Sequence, residues 1–143
     1  MKTKIDWSGR SHFYNKEEKK YLLKVIDKAD PLTQGTQLKK FENGLRKYLK
    51  QKNIFAVSSA AAALEIISLL LNLKKNDEVI VPAHTYCASA IPFARNGAKI
   101  IWADINFKTR TINIDDVKKK ISKKTKAIVL VHLYGYAIDV DNF

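Results

Sequence analysis

Hydrophobic and polar positions alternate along this chain in two rhythms, one helical and one extended. After Asn15-Lys-Glu-Glu18, which reads as an N-cap with a carboxylate three residues on, Leu22, Val25, Ile26 and Ala29 recur at helical spacing. Pro31 ends that helix, because it fixes φ and lacks an amide proton. Residues 32–36 form a turn. Leu38, Phe41, Leu45, Tyr48 and Leu49 then mark a second amphipathic helix with lysines on its outer face, slightly weakened by Gly44. The β-rich run 54–57 passes through Ser58 and Ser59 into an alanine-, leucine- and isoleucine-rich helix, so a strand is expected to turn directly into a helix. The polar residues of that helix, Glu65, Ser68 and Asn72, form one narrow stripe, and the rest of its circumference calls for burial. A sheet would cover one side, and something else must cover the other.

Residues 78–82 are a short, largely apolar strand closed by Pro82, of the kind found inside parallel sheets. A helix follows from the 83–91 run to Asn96-Gly97, with Gly97 as its C′ residue. Residues 99–104 read as a third strand, 109–113 as a loop, Asp115 through Ile121 as a short helix and 127–132 as a fourth strand. The first fourteen residues, with Trp7, Gly9 and Tyr14, have no period and read as an arm. The β–α alternation predicts an α/β fold with a parallel sheet and right-handed crossovers, in which ligands collect beyond the C-terminal ends of the strands. Ser58 and Ser59, residues 84–86, Asp104 and residues 134–136 all follow such ends. The helix mouth after Ser59 is a natural seat for an anion, and the two serines either cap it alone or also offer a hydroxyl to a phosphate.

Composition narrows the class. At 143 residues and 46% hydrophobic, the chain is expected to form about one domain with a real core. No apolar run approaches a membrane span and no secretory apolar region follows the start, so a cytoplasmic protein is expected. A single cysteine, Cys87, cannot form an internal disulfide, and the histidines His12, His84 and His132 show no zinc spacing. The formal charge of +12 raises nucleic acid as a partner. It is mostly lysine at helix ends and in loops, with no arginine-rich helix or RNP-like strand, so the lysines read as solvated faces.

Taken in order, Thr33-Gln-Gly35 with Phe41-Glu42, Ser58-Ser-Ala-Ala-Ala-Ala-Leu64, Asp77-Glu-Val-Ile-Val-Pro82, Thr85-Tyr86 with Ala88, Gly97-Ala98, Asp104, Thr125-Lys-Ala-Ile128 and Val131-His-Leu-Tyr-Gly135 resemble the N-terminal half of the DegT/DnrJ-type sugar aminotransferases, pyridoxal-phosphate enzymes of fold type I. The resemblance covers residues 31–141, and it implies the three-layer, parallel-sheet large domain of those enzymes in incomplete form. Residues 1–30 would be an N-terminal arm and helix, and 31–143 the first half of the cofactor-binding domain. By the same resemblance, Ser59 and the amides of Ala60 and Ala61 would hold the phosphate of pyridoxal 5′-phosphate, Tyr86 would stack on its ring, and Thr85 would cap a helix and line the pocket. Thr33, Gln34 and Gly35 would reach a substrate, with the arm reaching a partner's site in a homodimer. Asp104 would bind loop amides, His132 would be a satisfied strand histidine, and His84 would stand at the pocket's edge or apart from it.

The implied activity is transfer of an amino group, from glutamate, to a keto group of a nucleotide-linked sugar in polysaccharide or deoxysugar biosynthesis. Relatives that dehydrate sugars are distinguished at the Schiff-base lysine, and that lysine matches no position of this chain, so no catalytic residue is assigned and the fragment alone is expected to be inactive. The family commonly has Gly-Thr where Ala60-Ala61 stands, which removes a phosphate-binding hydroxyl that Ser58 or Ser59 would have to replace. Three later strands of the family sheet would separate 54–57 from the other strands, so exposed edges and poor folding of the isolated chain are expected. Two other readings stay open: a non-catalytic doubly wound binding module, marked by no binding of pyridoxal phosphate, and a basic nucleic-acid binder, marked by steep salt dependence.

Overall fold

The computed structural model describes residues 14–28, 31 and 33–141; the arm around Trp7, with Ala29 and Leu32, lies outside the described residues. The described residues divide into two compact units, one up to Ala56 and one from Val57.

In the first unit, helix α1 (Lys16–Asp27) begins with the expected reciprocal cap. The Glu18 amide donates to Asn15 Oδ1 at 2.9 Å and the Asn15 amide donates to Glu18 Oε2 at 2.7 Å, which satisfies two first-turn donors at once. Helix α2 (Thr36–Leu49) starts at Gly35 and stops at Lys50, whose backbone is left-handed. A Cβ on Gly35 would stand 2.1 Å from the carbonyl oxygen of Pro31, so only glycine fits this close approach. The Tyr21 hydroxyl bonds Gln37 Oε1 at 2.6 Å and ties the two helices together.

The strand expected at 54–57 does not form. A strand exists only where a neighbour takes its backbone groups, and here two of them go to side chains of α2. Arg46 Nη2 donates to the Ile54 carbonyl at 2.9 Å, and the Ala56 amide donates to Glu42 Oε1 at 3.0 Å. Glu42 and Arg46 are themselves paired at 3.3 Å, one helical turn apart. The backbone of 54–56 is therefore less bare than the pattern implied, although Phe55 remains 78% exposed.

The second unit is a three-layer α/β arrangement. Helix α3 (Ala60–Leu70) leads to strand β1 (Glu78–Pro82), a 3₁₀ turn (Cys87–Ser89), helix α4 (Ile91–Arg95), strand β2 (Lys99–Ala103), helix α5 (Ile114–Lys120), strand β3 (Thr125–Ile128) and a second 3₁₀ turn (Leu133–Gly135). The sheet runs β2-β1-β3 and is wholly parallel. Its central strand is buried on both faces. Val79 and Val81 pack with Ala90, Phe93 and Ala98 on one side, and Ile80 packs with Ala103, Ile112, Val117 and Ile138 on the other. This is the period of two expected of a strand with helices above and below.

Three elements depart from their sequence pattern. The helix expected between 83 and 96 is split into a 3₁₀ turn and α4, because Pro92 has no amide proton for a continuous ladder. Its end is as expected. Gly97, at φ +95°, is the C′ residue of a Schellman motif in which the amides of Gly97 and Ala98 donate to Ala94 and Phe93. Helix α5 starts one residue early, capped by Asn113, whose Oδ1 accepts from the amides of Asp115 and Asp116. The last strand ends at Ile128, with one further bond from the Val129 amide to Ile80, since no strand lines its other edge among the described residues.

Two residues of the expected polar stripe, Glu65 and Ser68, face α4, whereas Asn72 is exposed beyond the end of α3 at Leu70. Ser68 is fully buried; its Oγ donates to the Glu65 carbonyl and accepts from Asn96 Nδ2, both at 2.8 Å. Glu65 pairs with Arg95 of α4 at 3.1 Å. The apolar Leu69 and Leu70 on the same helix are 65% and 79% exposed. Polar groups thus glue α3 to α4, and much of the apolar circumference faces outward.

Candidate functional site

Ser59 has an extended backbone, which turns its side chain onto the first turn of α3. Its Oγ accepts from the Ala62 amide at 3.1 Å, and its carbonyl accepts from the Ala63 amide at 3.1 Å. The amides of Ala60 and Ala61 have no acceptor among the described residues, as the opening turn of a helix requires. Ser58, Ala60 and Ala61 are exposed. Two open amides, the positive end of the helix dipole and nearby hydroxyls are the chemistry of an anion seat. As an acceptor, Ser59 Oγ also keeps its own proton to donate.

The 3₁₀ turn Cys87–Ser89 packs against α3. Tyr86 stands at the head of that turn, extended in backbone and 74% exposed, so its ring is open to a ligand. It is held from both sides. The Ser89 amide donates to the Tyr86 carbonyl at 2.9 Å, and the Thr85 hydroxyl shares a 2.8 Å hydrogen bond with the hydroxyl of Ser89, which is buried. Thr85 was expected to cap a helix; its hydroxyl instead bonds Ser89, because Tyr86 and not Thr85 precedes the turn.

His84, after β1, meets Tyr134, after β3, in an edge-to-face contact with ring centroids 6.2 Å apart. His132 is satisfied, with Nδ1 accepting from the Ile138 amide at 3.0 Å. Asp104 Oδ1 takes the amide of Ile105 at 2.7 Å, and the Asp104 amide donates to Asp116 Oδ2 at 2.6 Å. The Lys120 ammonium, 2.7 Å from Asp116, and that same amide hold the Asp116 carboxyl below its ordinary range. Thr33, Gln34 and Gly35 belong to the first unit, where Gln34 is left-handed at φ 55° and the three form the sharp entry to α2.

Sequence reasoning did not find the Ser89 hydroxyl behind Thr85, nor a cavity of about 420 Å³ lined by Asn106, Thr111, Asn113, Lys118 and Ile138 among others. None of the expected cofactor residues lines that cavity. Ser89 lies four residues after Thr85, the only trace such a pairing leaves in a sequence.

Residues 13–143 match the profile of the DegT/DnrJ/EryC1/StrS aminotransferase family. The GDP-perosamine synthase of Vibrio cholerae is 38% identical over 125 residues, which is 87% of this chain and 34% of that protein. The chain spans about a third of the length of the curated relatives it matches. Among solved structures, an E. coli GDP-4-keto-6-deoxy-D-mannose-3-dehydratase with bound hydrated PLP superposes with a TM-score of 0.87 at 29% identity, over 96% of this chain and 37% of that one. PseC of Helicobacter pylori, an aminotransferase involved in the biosynthesis of pseudoaminic acid, superposes with a TM-score of 0.81 at 29% identity, over 91% of this chain and 35% of that one.

Proposed function

This chain belongs to the DegT/DnrJ/EryC1/StrS aminotransferase family, and from that premise we propose that it corresponds to the N-terminal third of a pyridoxal-phosphate enzyme that aminates a keto group of a nucleotide-linked sugar. The observation that carries this reading is the open first turn of α3, with two unclaimed amides, packed against the short turn that presents the exposed Tyr86. The Ala60 and Ala61 amides take the phosphate. The Ser59 hydroxyl, still able to donate, replaces the one lost where relatives have Gly-Thr. Tyr86 stacks on the pyridine ring, and Thr85, fastened to Ser89, keeps the approach to that ring rigid. When bound, the cofactor supplies the electron sink for the reaction.

Thr33, Gln34 and Gly35 contribute to the substrate side. Residues 31–143 form the first half of the cofactor-binding domain, preceded by the arm and α1 within 1–30. The amino donor is glutamate, the working unit is a homodimer in the cytoplasm, and the pathway is polysaccharide or deoxysugar synthesis. No described helix is long and apolar enough to cross a membrane.

Binding of pyridoxamine phosphate tests the reading without reaction at surface lysines, because this form of the cofactor has no aldehyde. One molecule per chain is expected to bind, pyridoxamine without the phosphate far more weakly, and Tyr86→Ala is expected to weaken both. Equal affinity for the two ligands refutes the phosphate seat.

A further inference from the structure

Strand order β2-β1-β3 places consecutive crossovers on opposite faces of the sheet, with α4 packing on the Val79 side and α5 on the Ile80 side. In such sheets the crevice where the order reverses, here between the C-terminal ends of β1 and β3, is where ligands collect. His84 and Tyr134 close on each other across that crevice. Tyr134 does so from a backbone that few residues other than glycine adopt, φ 55° and ψ 22°, followed by Gly135 at φ 84°. A bulky residue held there needs surroundings that over-determine it.

His132 supplies them. Its carbonyl accepts from the Gly135 amide at 3.0 Å, and its Nδ1 accepts from the Ile138 amide at 3.0 Å. Ile138 is anchored in the core with Val117 and Ile112. One residue therefore ties the left-handed turn at its start and pins the chain beyond it. We propose that His132 is a positioning residue: by fixing the Leu133–Gly135 turn it sets the Tyr134 ring edge-on to His84, and this pair forms a wall of the pocket next to Thr85 and Tyr86. The functional side of this inference rests on the cofactor reading above; the positioning side does not. Neither ring is a catalytic group here. The wall offers an apolar face with a polar tip, the surface that a ring-shaped, hydroxyl-bearing substrate fits.

Histidine imidazole nitrogen–proton spectra of the ¹⁵N-labelled chain test it. His132 is expected to carry its proton on Nε2, leaving Nδ1 as acceptor, and His84 to show a ring-current shift that Tyr134→Leu abolishes. In His132→Asn the amide oxygen replaces Nδ1 and the His84 shift is retained; in His132→Leu it is lost. A His84 shift that survives His132→Leu, or an Nδ1–H tautomer in the parent, overturns the proposal. Should His132→Leu also lose the core signals of Val79 and Val81, His132→Gln decides, because its acceptor sits one carbon too far out and persistence of the shift there is equally fatal. Added pyridoxamine phosphate is expected to move the His84 signals in the parent and in His132→Asn. Failure of that ligand to bind at all counts against the cofactor reading and the pocket wall, while the ligand-free spectra still decide the positioning role.

Discussion

Replacing Ala60 by proline separates the proposed phosphate seat from the stability of the helix that makes it. Ala60 is the first residue of α3, and its amide has no intrahelical acceptor to lose. Proline is favoured at this position. It also requires an extended residue before it, and Ser59 is already extended at φ −164° and ψ 162°. Ala60 is exposed, so the ring meets solvent. The fold should be unchanged or gain roughly 0.4–1 kcal/mol from the stiffer unfolded chain. The cofactor phosphate, however, loses one charge-assisted hydrogen bond, worth about 1.5–3 kcal/mol. At about 1.4 kcal/mol per tenfold, affinity for pyridoxamine phosphate should fall by about 10- to 100-fold. Affinity for pyridoxamine, which has no phosphate, should not change. Isothermal titration of both ligands with denaturant melts of parent and variant provides all the quantities. A variant of unchanged stability that binds pyridoxamine phosphate as tightly as the parent would show that the mouth of α3 is not the phosphate seat.

Ser68→Ala should destabilise the second unit by about 1–3 kcal/mol in chemical melts, since it deletes a fully buried hydroxyl that serves both Glu65 and Asn96; an unchanged midpoint refutes this. Gly97→Ala should cost roughly 1–2 kcal/mol from backbone strain alone, because a Cβ there meets nothing closer than 3.9 Å. Asp116 has its folded-state affinity for protons lowered, first by Lys120 and then by the Asp104 amide, so its stabilisation is present above the ordinary carboxylate range and is lost as pH falls towards the lower folded value. Asp116→Asn should therefore flatten the acid side of the stability profile, and an identical acid limb would count against the ion pair. With Leu69 and Leu70 outward, the chain expressed alone should associate in sizing experiments, and Leu70→Lys should reduce that association; a parent that stays monomeric at high concentration defeats this expectation.

Local chemistry was enough for the reciprocal cap at Asn15 and Glu18, for Gly97 as a helix stop and for a serine cap on α3, which the structure assigns to Ser59 rather than Ser58, since each of these acts within about four residues. The unbroken apolar run of β1 and the β–α alternation likewise specified a parallel α/β sheet, because burial on two faces leaves its mark on every residue of a central strand. What the pattern could not fix is who satisfies whom. The segment 54–57 has strand composition, yet its Ile54 carbonyl and Ala56 amide are taken by Arg46 and Glu42 of α2. Glu65 and Ser68 of the polar stripe face α4 because Arg95 and Asn96 wait there, while Asn72 is exposed. Thr85 meets Ser89, and His84 meets Tyr134 some fifty residues away. These partners depend on distances set by tertiary packing, which spacing along the chain does not encode.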